Sequence, residues 1–183
     1  FPPVSGYGRI GFLELLQKIR EAWSSRRGEI DGSADRMTEH LRRIAGGDPG
    51  TRSDETIGPD EMTRAARELA RRFDRKWGGF GAAPKFPPDG GIALLLREHP
   101  RGGDPETLRM AERTLDAMAL GGMYDQIGGG FARYSVDERW LVPHFEKMLY
   151  NQALLVPLYV DGWRVTGKPL YRRVALETLE FVR

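Results

Sequence analysis

The chain has 183 residues, 40% of them hydrophobic and 30% charged, which is the composition of a globular domain and excludes a disordered chain. Its 28 Lys and Arg against 26 Asp and Glu leave a formal charge of +2, so the basic excess expected of a nucleic-acid or membrane-surface binder is missing. The absence of cysteine excludes disulfides, thiolate metal sites and thiol redox centres from these residues, and no apolar run reaches the ~20 residues needed to span a bilayer.

The amino-terminal part of the chain contains one strongly amphipathic segment. Apolar residues recur at helical spacing from Phe12 to Trp23 and predict the first helix. The residues that follow are poor in large apolar groups and contain turn clusters such as the glycine-rich one at 46–50. Within them, Ser33 is placed to cap a short helix. We interpret residues 31–58 as a linker that contains this short helix.

Three further helices are predicted in the middle of the chain. Pro59, followed by two acidic residues, is typical of a first helical turn because it needs no N–H partner there and acidic groups favour that helix end. The apolar run at 92–96 is short, and its leucines and alanine favour a helix over a strand. Asp104 and Pro105 predict the start of another helix, which we expect to end at Gly121-Gly122 as a left-handed terminator.

The segment after Pro143 predicts a long helix that ends near Asp161. On that helix His144, Lys147 and Asn151 would share one face, and the polar residues all lie in its first three turns. The second half is apolar on nearly every side, which is typical of a helix surrounded by protein. Because unpaired buried charge is costly, we expect the amino-terminal end of this helix to face a polar cavity.

The pattern as a whole predicts an all-α fold. No segment alternates apolar and polar residues over the length of a strand, and the last two helices are separated at residues 167–169. Stacked helical hairpins joined by short turns and long loops fit this order. Ten of the 23 glycines lie at 78–91 and 121–130, where we expect unusual turns or a close approach of another group to the backbone.

The second glycine loop has the composition of a site for a sugar or another small polar ligand. Between Tyr124 and Trp140 it brings together carboxylates, arginines and aromatic rings. Aromatic faces stack on the apolar patches of sugar rings, while carboxylates and arginines bind hydroxyl groups. The candidate catalytic residues are Asp125, Glu146 and His144, as acid and base groups. The candidate substrate-binding residues are Lys85, Phe86, Arg133, Tyr134, Asp137, Trp140, Lys147 and Asn151. We predict no metal and no other cofactor, since the site region has a single histidine.

Each candidate also has a structural alternative. Asp125 could instead pair with Arg133 or accept backbone N–H groups of its own loop. Glu146 and Lys147 could form an ion-pair network, because buried charges need partners whether or not a ligand binds. Trp140 and the other aromatic residues could belong to the core. The sequence leaves both sets of roles open.

Three long motifs carry a family resemblance: WGGFGAAPKFP at 77–87, GMYDQIGGGF at 122–131 and RYSVDERWLVPHFEKMLYN at 133–151. They resemble the signatures of the thioredoxin-domain-containing family related to spermatogenesis-associated protein 20, also called the domain-of-unknown-function 255 family. The resemblance implies an amino-terminal thioredoxin-like domain joined to an (α/α)6 toroid similar to six-hairpin glycosidases and N-acylglucosamine 2-epimerases.

The resemblance also implies how this chain is divided. Residues 1–30 are similar to the tail of the thioredoxin-like domain, and residues 59–183 to the first part of the toroid, which is therefore incomplete. The upstream domain with its redox cysteine pair and the rest of the toroid are then the expected protein partners. Since an incomplete ring leaves apolar helix faces uncovered, we expect this chain alone to be marginally stable or to self-associate.

Two functions of different class follow. The first is a carbohydrate-active domain that performs acid/base chemistry on a sugar-like ligand. Epimerases of the related fold use paired histidines, and this sequence has Ala132 where family members commonly carry a histidine. The alternative is a non-catalytic scaffold or client-binding module fused to the thioredoxin-like domain. In either case we expect a soluble, cytoplasmic protein that binds neither nucleic acid nor membrane.

Overall fold

A computed structural model describes residues 2–45, 58–102 and 104–183. These ranges contain seven α-helices and isolated β-bridges but no strand, so the all-α prediction is confirmed. The predicted turn cluster at 46–50 lies outside the described residues. The chain divides into two compact units, Phe1–Glu55 and Thr56–Arg183.

The first unit holds two helices, α1 (Phe12–Ser25) and α2 (Arg27–Ile44). The first is the predicted amphipathic helix. The second begins well before Ser33 and is longer than the short helix that the sequence predicted. An acidic residue in its first turn and two arginines in its last complement the helix dipole, and no proline interrupts it. No residue of either helix is buried. The assignment of residues 1–30 to a thioredoxin-like domain stays a prediction.

The second unit holds the other five helices and a short 3-10 turn, His99–Arg101. The helices are α3 (Pro59–Arg72), α4 (Asp89–Glu98), α5 (Pro105–Leu120), α6 (Leu149–Thr166) and α7 (Pro169–Val182). Along the chain, α3 packs on α4, α4 packs on both α5 and α6, and α6 packs along α7. The middle of the chain is therefore a stack of helices whose longest connections are the two glycine-bearing loops.

The two ends of α5 test the predicted start and the predicted stop of this helix. Asp104 accepts the N–H of Glu106 at 2.8 Å and caps the helix start as predicted. Gly121 ends the helix, but its φ is −87°, so the predicted left-handed terminator was wrong. A side chain at Gly121 would collide with the carbonyl oxygen of Trp140. The glycine is needed for this close approach and not for a turn.

The core of the second unit joins the second glycine loop to α5, α6 and α7. Phe131 stacks on Tyr159 with ring centroids 5.2 Å apart, and Tyr159 meets the edge of Tyr171 at 5.7 Å. The Tyr159 hydroxyl donates to the carbonyl of Leu115 at 2.8 Å, so the one polar atom of this ring is satisfied. Burial of these rings fixes the loop against three helices.

One side of α6 stays exposed. Leu149 is 70% exposed and Leu154 is 47% exposed, and on α7 Leu176 and Leu179 are each 49% exposed. The expectation of a helix enclosed on every side was therefore wrong for α6. Its buried residues form one face, which packs on α4, α5 and α7. Leu149 and Leu154 on the other face are only partly covered by protein within the described ranges.

Candidate functional site

The second glycine loop is organised by backbone pairing between extended segments. The N–H of Ala132 donates to Met123 at 2.8 Å, and the N–H of His144 donates to Tyr134 at 2.9 Å. Ser135 exchanges two hydrogen bonds of 2.8 Å with the backbone of Lys85 in the first glycine loop. Residues 131–136 thus lie between neighbours on both sides, and the two glycine loops are joined into one structure.

This pairing overturns the predicted helix at Pro143. Residues 143–148 are not helical: Pro143 forms an isolated bridge with Ser135, the chain bends at Phe145, and α6 begins only at Leu149. Proline fits a first helical turn because the N–H groups there lack partners, but here the loop supplies those partners. The N–H of His144 donates to the carbonyl of Tyr134, and the carbonyl of Glu146 accepts the N–H of Arg133, so backbone groups that a helix would use are paired with the loop.

This non-helical segment separates residues that a helix would have brought together. Phe145 and Lys147 line a cleft beside Asp125, whereas His144 and Glu146 lie against residues 133–134. The three candidate catalytic residues therefore fall into two groups, with Asp125 in one and the histidine and glutamate in the other.

In the cleft, Asp125 and Lys147 form a closed ion pair. The Lys147 ammonium lies 2.6 Å from the Asp125 carboxylate and 2.8 Å from the carbonyl oxygen of Gly129. Asp125 also accepts the N–H groups of Ile127 and Gly128, each at 2.9 Å. The Gly128 N–H, the ammonium and the Ile127 N–H together hold the pKa of Asp125 far below its usual range. Asp125 therefore stays ionised and organises its own loop, with Lys147 as partner instead of Arg133.

The cleft itself has a volume of about 370 Å³. Its walls are mainly apolar, and its rim carries Ile127 and Phe145, which are 101% and 91% exposed. Ala132 forms part of the wall. Ala132 is thus on the Asp125 side of the loop and not on the side of His144.

On the other side of the loop, three rings form a continuous stack. The rings of Phe86 and Tyr134 lie 4.6 Å apart with a 27° angle between their planes, and Tyr134 and His144 lie 4.6 Å apart at 19°. Phe86 is 52% exposed, so one end of the stack is open to solvent. Backbone pairing of the two glycine loops positions these rings, because Phe86 follows Lys85 and Tyr134 precedes Ser135.

Charged and polar groups lie beside this stack. The Arg133 guanidinium contacts the Glu146 carboxylate at 3.2 Å and donates through Nε to the Tyr150 hydroxyl at 3.2 Å. The same Glu146 oxygen is 3.5 Å from Nδ1 of His144. We call the six residues Phe86, Tyr134, His144, Arg133, Glu146 and Tyr150 the ring-stack site. It combines an aromatic face with a histidine, a carboxylate and a guanidinium.

Three other candidate residues are used by the fold. Lys85 is 2% exposed and pairs with Asp74 at 2.5 Å. Trp140 is fully buried, and its indole N–H donates to the carbonyl of Trp77 at 3.1 Å. Asp137 accepts three backbone N–H groups of its own loop; burial disfavours its charge, but these bonds outweigh burial and hold its pKa below the usual value. None of the three presents a free polar atom to a ligand in this arrangement.

The amino-terminal end of α6 carries the two polar residues that are most buried there. Asn151 is 7% exposed, and its Oδ1 has no hydrogen-bond partner in the described part of the chain. The Gln152 amide accepts from the Phe131 N–H at 2.8 Å and donates to the Phe131 carbonyl at 2.7 Å. The sequence did not single out Gln152, although a glutamine in the first turn of an apolar helix is a signal for such a backbone anchor.

In both glycine clusters another part of the chain lies close to the backbone, as we expected from the sequence. A Cβ on Gly79 would lie 2.5 Å from the Trp140 ring, and a Cβ on Gly129 would lie 2.5 Å from the carbonyl oxygen of Glu177 on α7. Both glycines also have positive φ, at +80° and +70°. The glycines therefore fit the loops against an indole and a helix of the same chain.

Two kinds of feature are missing from the ranges that the structure describes. No three His, Asp or Glu side chains lie close enough together to hold a metal ion. No helix in those ranges combines the length and the hydropathy that crossing a membrane requires.

The chain is similar to known proteins over its whole length. It is 36% identical to human and 34% identical to mouse spermatogenesis-associated protein 20 over 186 aligned residues, and it spans about a quarter (24%) of each relative. No family model matches it. A sugar epimerase from a ruminal bacterium superposes with a TM-score of 0.53 at 17% identity, over 69% of this chain and 36% of the epimerase. The fold is therefore part of a helical toroid of the six-hairpin glycosidase-like kind, as the motifs predicted.

Proposed function

We propose that this chain, a homologue of about a quarter of the spermatogenesis-associated protein 20 sequence, contributes a carbohydrate-active acid/base site to a helical toroid. The substrate class is a reducing sugar or a sugar-like molecule, and the ring-stack site is where it binds. A place in carbohydrate metabolism and in the cytoplasm is part of this proposal. The single observation that carries it is the histidine–carboxylate pair at the end of a solvent-open stack of rings.

The ring-stack site has the two kinds of surface that a sugar needs. One face of a pyranose ring is made of C–H groups, which pack on an aromatic ring such as the half-exposed Phe86. The hydroxyl groups at the rim of the sugar need charged or polar partners, which Arg133 and Glu146 supply. Neither residue is buried, so both retain donor and acceptor capacity toward a ligand.

His144 is the group suited to move a proton. Its Nδ1 is buried, which leaves Nε2 as the ring nitrogen available to a ligand. The Glu146 carboxylate lies 3.5 Å from Nδ1 of this ring. A histidine placed beside a substrate carbon is the commonest general base. We assign to Nε2 the removal of the proton from the carbon next to the carbonyl of an open-chain sugar. The Arg133 guanidinium then stabilises the enolate oxygen, and the same nitrogen returns the proton.

Asp125 takes a different part in this proposal from the one the sequence suggested. Its pKa lies far below neutrality, so it has no proton to donate. Inversion of a carbon centre needs a second proton donor on the opposite face of the sugar. Proton exchange needs only the one base, and the chain should therefore catalyse exchange before inversion.

The test is solvent-deuterium exchange by the chain. A panel of glucose, mannose, N-acetylglucosamine and N-acetylmannosamine is incubated in D2O, and loss of the C2 proton is followed by NMR. We expect exchange into at least one sugar, and we expect His144→Gln to reduce its rate at least about 100-fold because the base is lost. The matched control is His40→Gln, an exposed histidine on α2, which should exchange at the wild-type rate.

Three outcomes of the exchange experiment would contradict parts of this proposal. No exchange into any of the four sugars counts against a carbohydrate reaction at this site. Equal rates for wild type and His144→Gln would mean that the histidine is not the base. A loss of exchange in Asp125→Asn at unchanged thermal stability would return that carboxylate to a catalytic role.

A non-catalytic client-binding module is the second candidate, and one observation favours it. Phe145 and Ile127 stand almost fully exposed at the rim of the cleft, where they could contact an unfolded chain. The measurement is suppression of aggregation of a reduced, unfolded model protein. Suppression that is lost in Phe145→Ser but kept in His144→Gln would favour this module over the enzyme.

A further inference from the structure

A second cavity lies away from the ring-stack site, between α3 and the start of α5. Its volume is about 310 Å³, at the lower end of the range for small-molecule sites. Thr63 and Arg67 line it from α3, Glu98 from the end of α4, Arg101 from the turn that follows, and Thr107 from α5. The cavity is thus formed by residues distant in sequence, and it is lined mainly by polar side chains.

Glu98 is the unusual residue of this cavity. It is 6% exposed, and its Oε1 accepts the Thr63 hydroxyl at 2.6 Å. Its other oxygen, Oε2, is buried and has no hydrogen-bond partner among the described residues. No cation in those ranges forms an ion pair with this carboxylate.

Three features of the position make a carboxylate there costly. Burial removes the water that would solvate the charge, and an unpartnered buried oxygen loses a hydrogen bond outright. Glu98 is also the last residue of α4, where the negative end of the helix dipole repels an anion. An apolar residue would avoid all three costs, so the carboxylate is explained best by something positive that enters the cavity.

The other charges of the cavity show what else such a ligand would meet. Glu106 is already paired with Arg75 and Arg109, and Asp104 accepts a backbone N–H as the cap of α5. Arg67 and Arg101 are exposed at the rim, and neither has an ion-pair partner within the part of the chain that the structure describes. The charges without an ion-pair partner in the described ranges are therefore the buried Glu98 carboxylate, the exposed cap carboxylate of Asp104 and the two arginines at the opening.

We propose that this cavity binds a small zwitterion of the amino-acid class, with its protonated amine toward the Glu98 carboxylate and its acidic group at Arg67 or Arg101. The carboxylate attracts the ammonium group in a setting of low dielectric, where charge–charge attraction is strong. The guanidiniums bind the acidic group through paired N–H donors. The site is independent of the proposed sugar chemistry.

The experiment uses the full 183-residue chain and probes that differ only in their charged groups. Glycine, β-alanine and 4-aminobutyrate carry both groups at increasing separation, whereas n-butylamine and butyrate each lack one. Thermal melting and isothermal titration are recorded for wild type, Glu98→Gln and Arg101→Ala. The matched control is Glu68→Gln. It removes an exposed carboxylate that pairs with Arg71 within α3, the helix that lines one side of the cavity.

We expect at least one zwitterion to raise the Tm of the wild type, and the two singly charged probes not to do so. Glu98→Gln should abolish binding, and Arg101→Ala should weaken it about tenfold. Without ligand, Glu98→Gln should raise the Tm by about 3 °C, because it removes a buried unpaired charge.

Two results would overturn the proposal. A lower Tm for Glu98→Gln would mean that an arginine of the chain already compensates the carboxylate. No response to any of the three zwitterions, or an unchanged response in Glu98→Gln, would mean that the cavity is not a site of this kind. Glu68→Gln should melt and bind like the wild type.

Discussion

The chain contains two helical hairpins of similar length that differ in one respect: α6–α7 has a core and α1–α2 has none. In α6–α7, Tyr159 and Tyr171 are fully buried. In α1–α2 no residue is buried, and Trp23 on the apolar face of α1 is 52% exposed. All four helices carry apolar side chains at helical spacing, so periodicity does not account for the difference.

The difference shows that a pair of helices does not make a core without a third element. Two helices bury only the seam between them, whereas a ring such as Tyr159 needs neighbours on every side. In the second unit α5 and the second glycine loop provide them, through Leu115 and Phe131. The predictions below compare matched substitutions in the two regions.

The largest difference in the free energy of unfolding between the two regions is expected for substitutions of tryptophan. Trp140→Ala should lower the free energy of unfolding by about 3–5 kcal/mol, because it empties a fully buried site. Trp23→Ala should cost about 0.5 kcal/mol, since that ring is half-exposed and loses mainly the Arg27 guanidinium over its face. Urea unfolding measured by circular dichroism gives both values. Equal costs would mean that α1 is buried in solution.

Glycines of positive φ give the second comparison. Gly129→Ala should cost about 3 kcal/mol, because it adds a collision with the Glu177 carbonyl to the strain of φ +70°. Gly8→Ala should cost only the strain, about 1 kcal/mol, since nothing lies within 4 Å of its added methyl group. The same unfolding assay applies. A small cost for Gly129→Ala would contradict the packing of the loop on α7.

Ion pairs give the third comparison, and this one depends on pH. Because the folded state lowers the pKa of Asp125, its stabilisation is present above the ordinary aspartate pKa of about 3.9 and is lost as the pH falls below it. At pH 7, Asp125→Asn should cost about 1 kcal/mol, since partial exposure to water weakens the pair with Lys147. The cost should shrink progressively below pH 4.

The control for that pair is Asp31→Asn in α2, which breaks an exposed pair with Arg27. Its cost should stay within about 0.5 kcal/mol at pH 7 and at pH 3. Thermal melts of both variants across this range check the prediction. A pH-independent cost for Asp125→Asn would show that the ion pair does not set the stability of the loop.

The smallest effect on stability is expected for substitutions of exposed apolar residues. Their effect is measured instead on the self-association of the chain. We expect the chain to self-associate through its uncovered apolar faces, and Leu149→Gln with Leu154→Gln should reduce association in sedimentation velocity. The matched pair in the first unit is Leu16→Gln with Ile19→Gln. Each pair should change the free energy of unfolding by less than about 1 kcal/mol. A monomeric wild type that melts cooperatively would contradict the expectation of self-association.

The sequence predicted helix positions well where the signal is local. Pro59, Pro105 and Pro169 each begin a helix, and Gly167 ends α6 with φ +71°. These residues act through their own backbone geometry, which neighbours far along the chain do little to change. Pro143 failed as a signal because the loop pairs with the residues after it.

The candidate site was predicted as a region but not as an arrangement. The residues lie in or beside the two glycine loops as expected, yet Lys85 and Trp140 are interior, and Asp125 is held by Lys147. Which of several carboxylates meets which cation depends on the path of the loop. Spacing along a sequence carries that information only when the segment is regular, and residues 121–148 are not.

By itself, the sequence determined that this protein is helical, that two glycine loops admit close approach, and that its motifs resemble those of a known family. The tertiary structure alone decided that residues 143–148 are not helical, that His144 and Glu146 separate from Asp125, and that Oε2 of the buried Glu98 lacks a hydrogen-bond partner among the described residues. The physical reason is the distance along the chain over which each effect acts. Proline and glycine preferences act within a few residues, whereas backbone pairing, ring packing and charge burial depend on groups that meet only when the chain has folded.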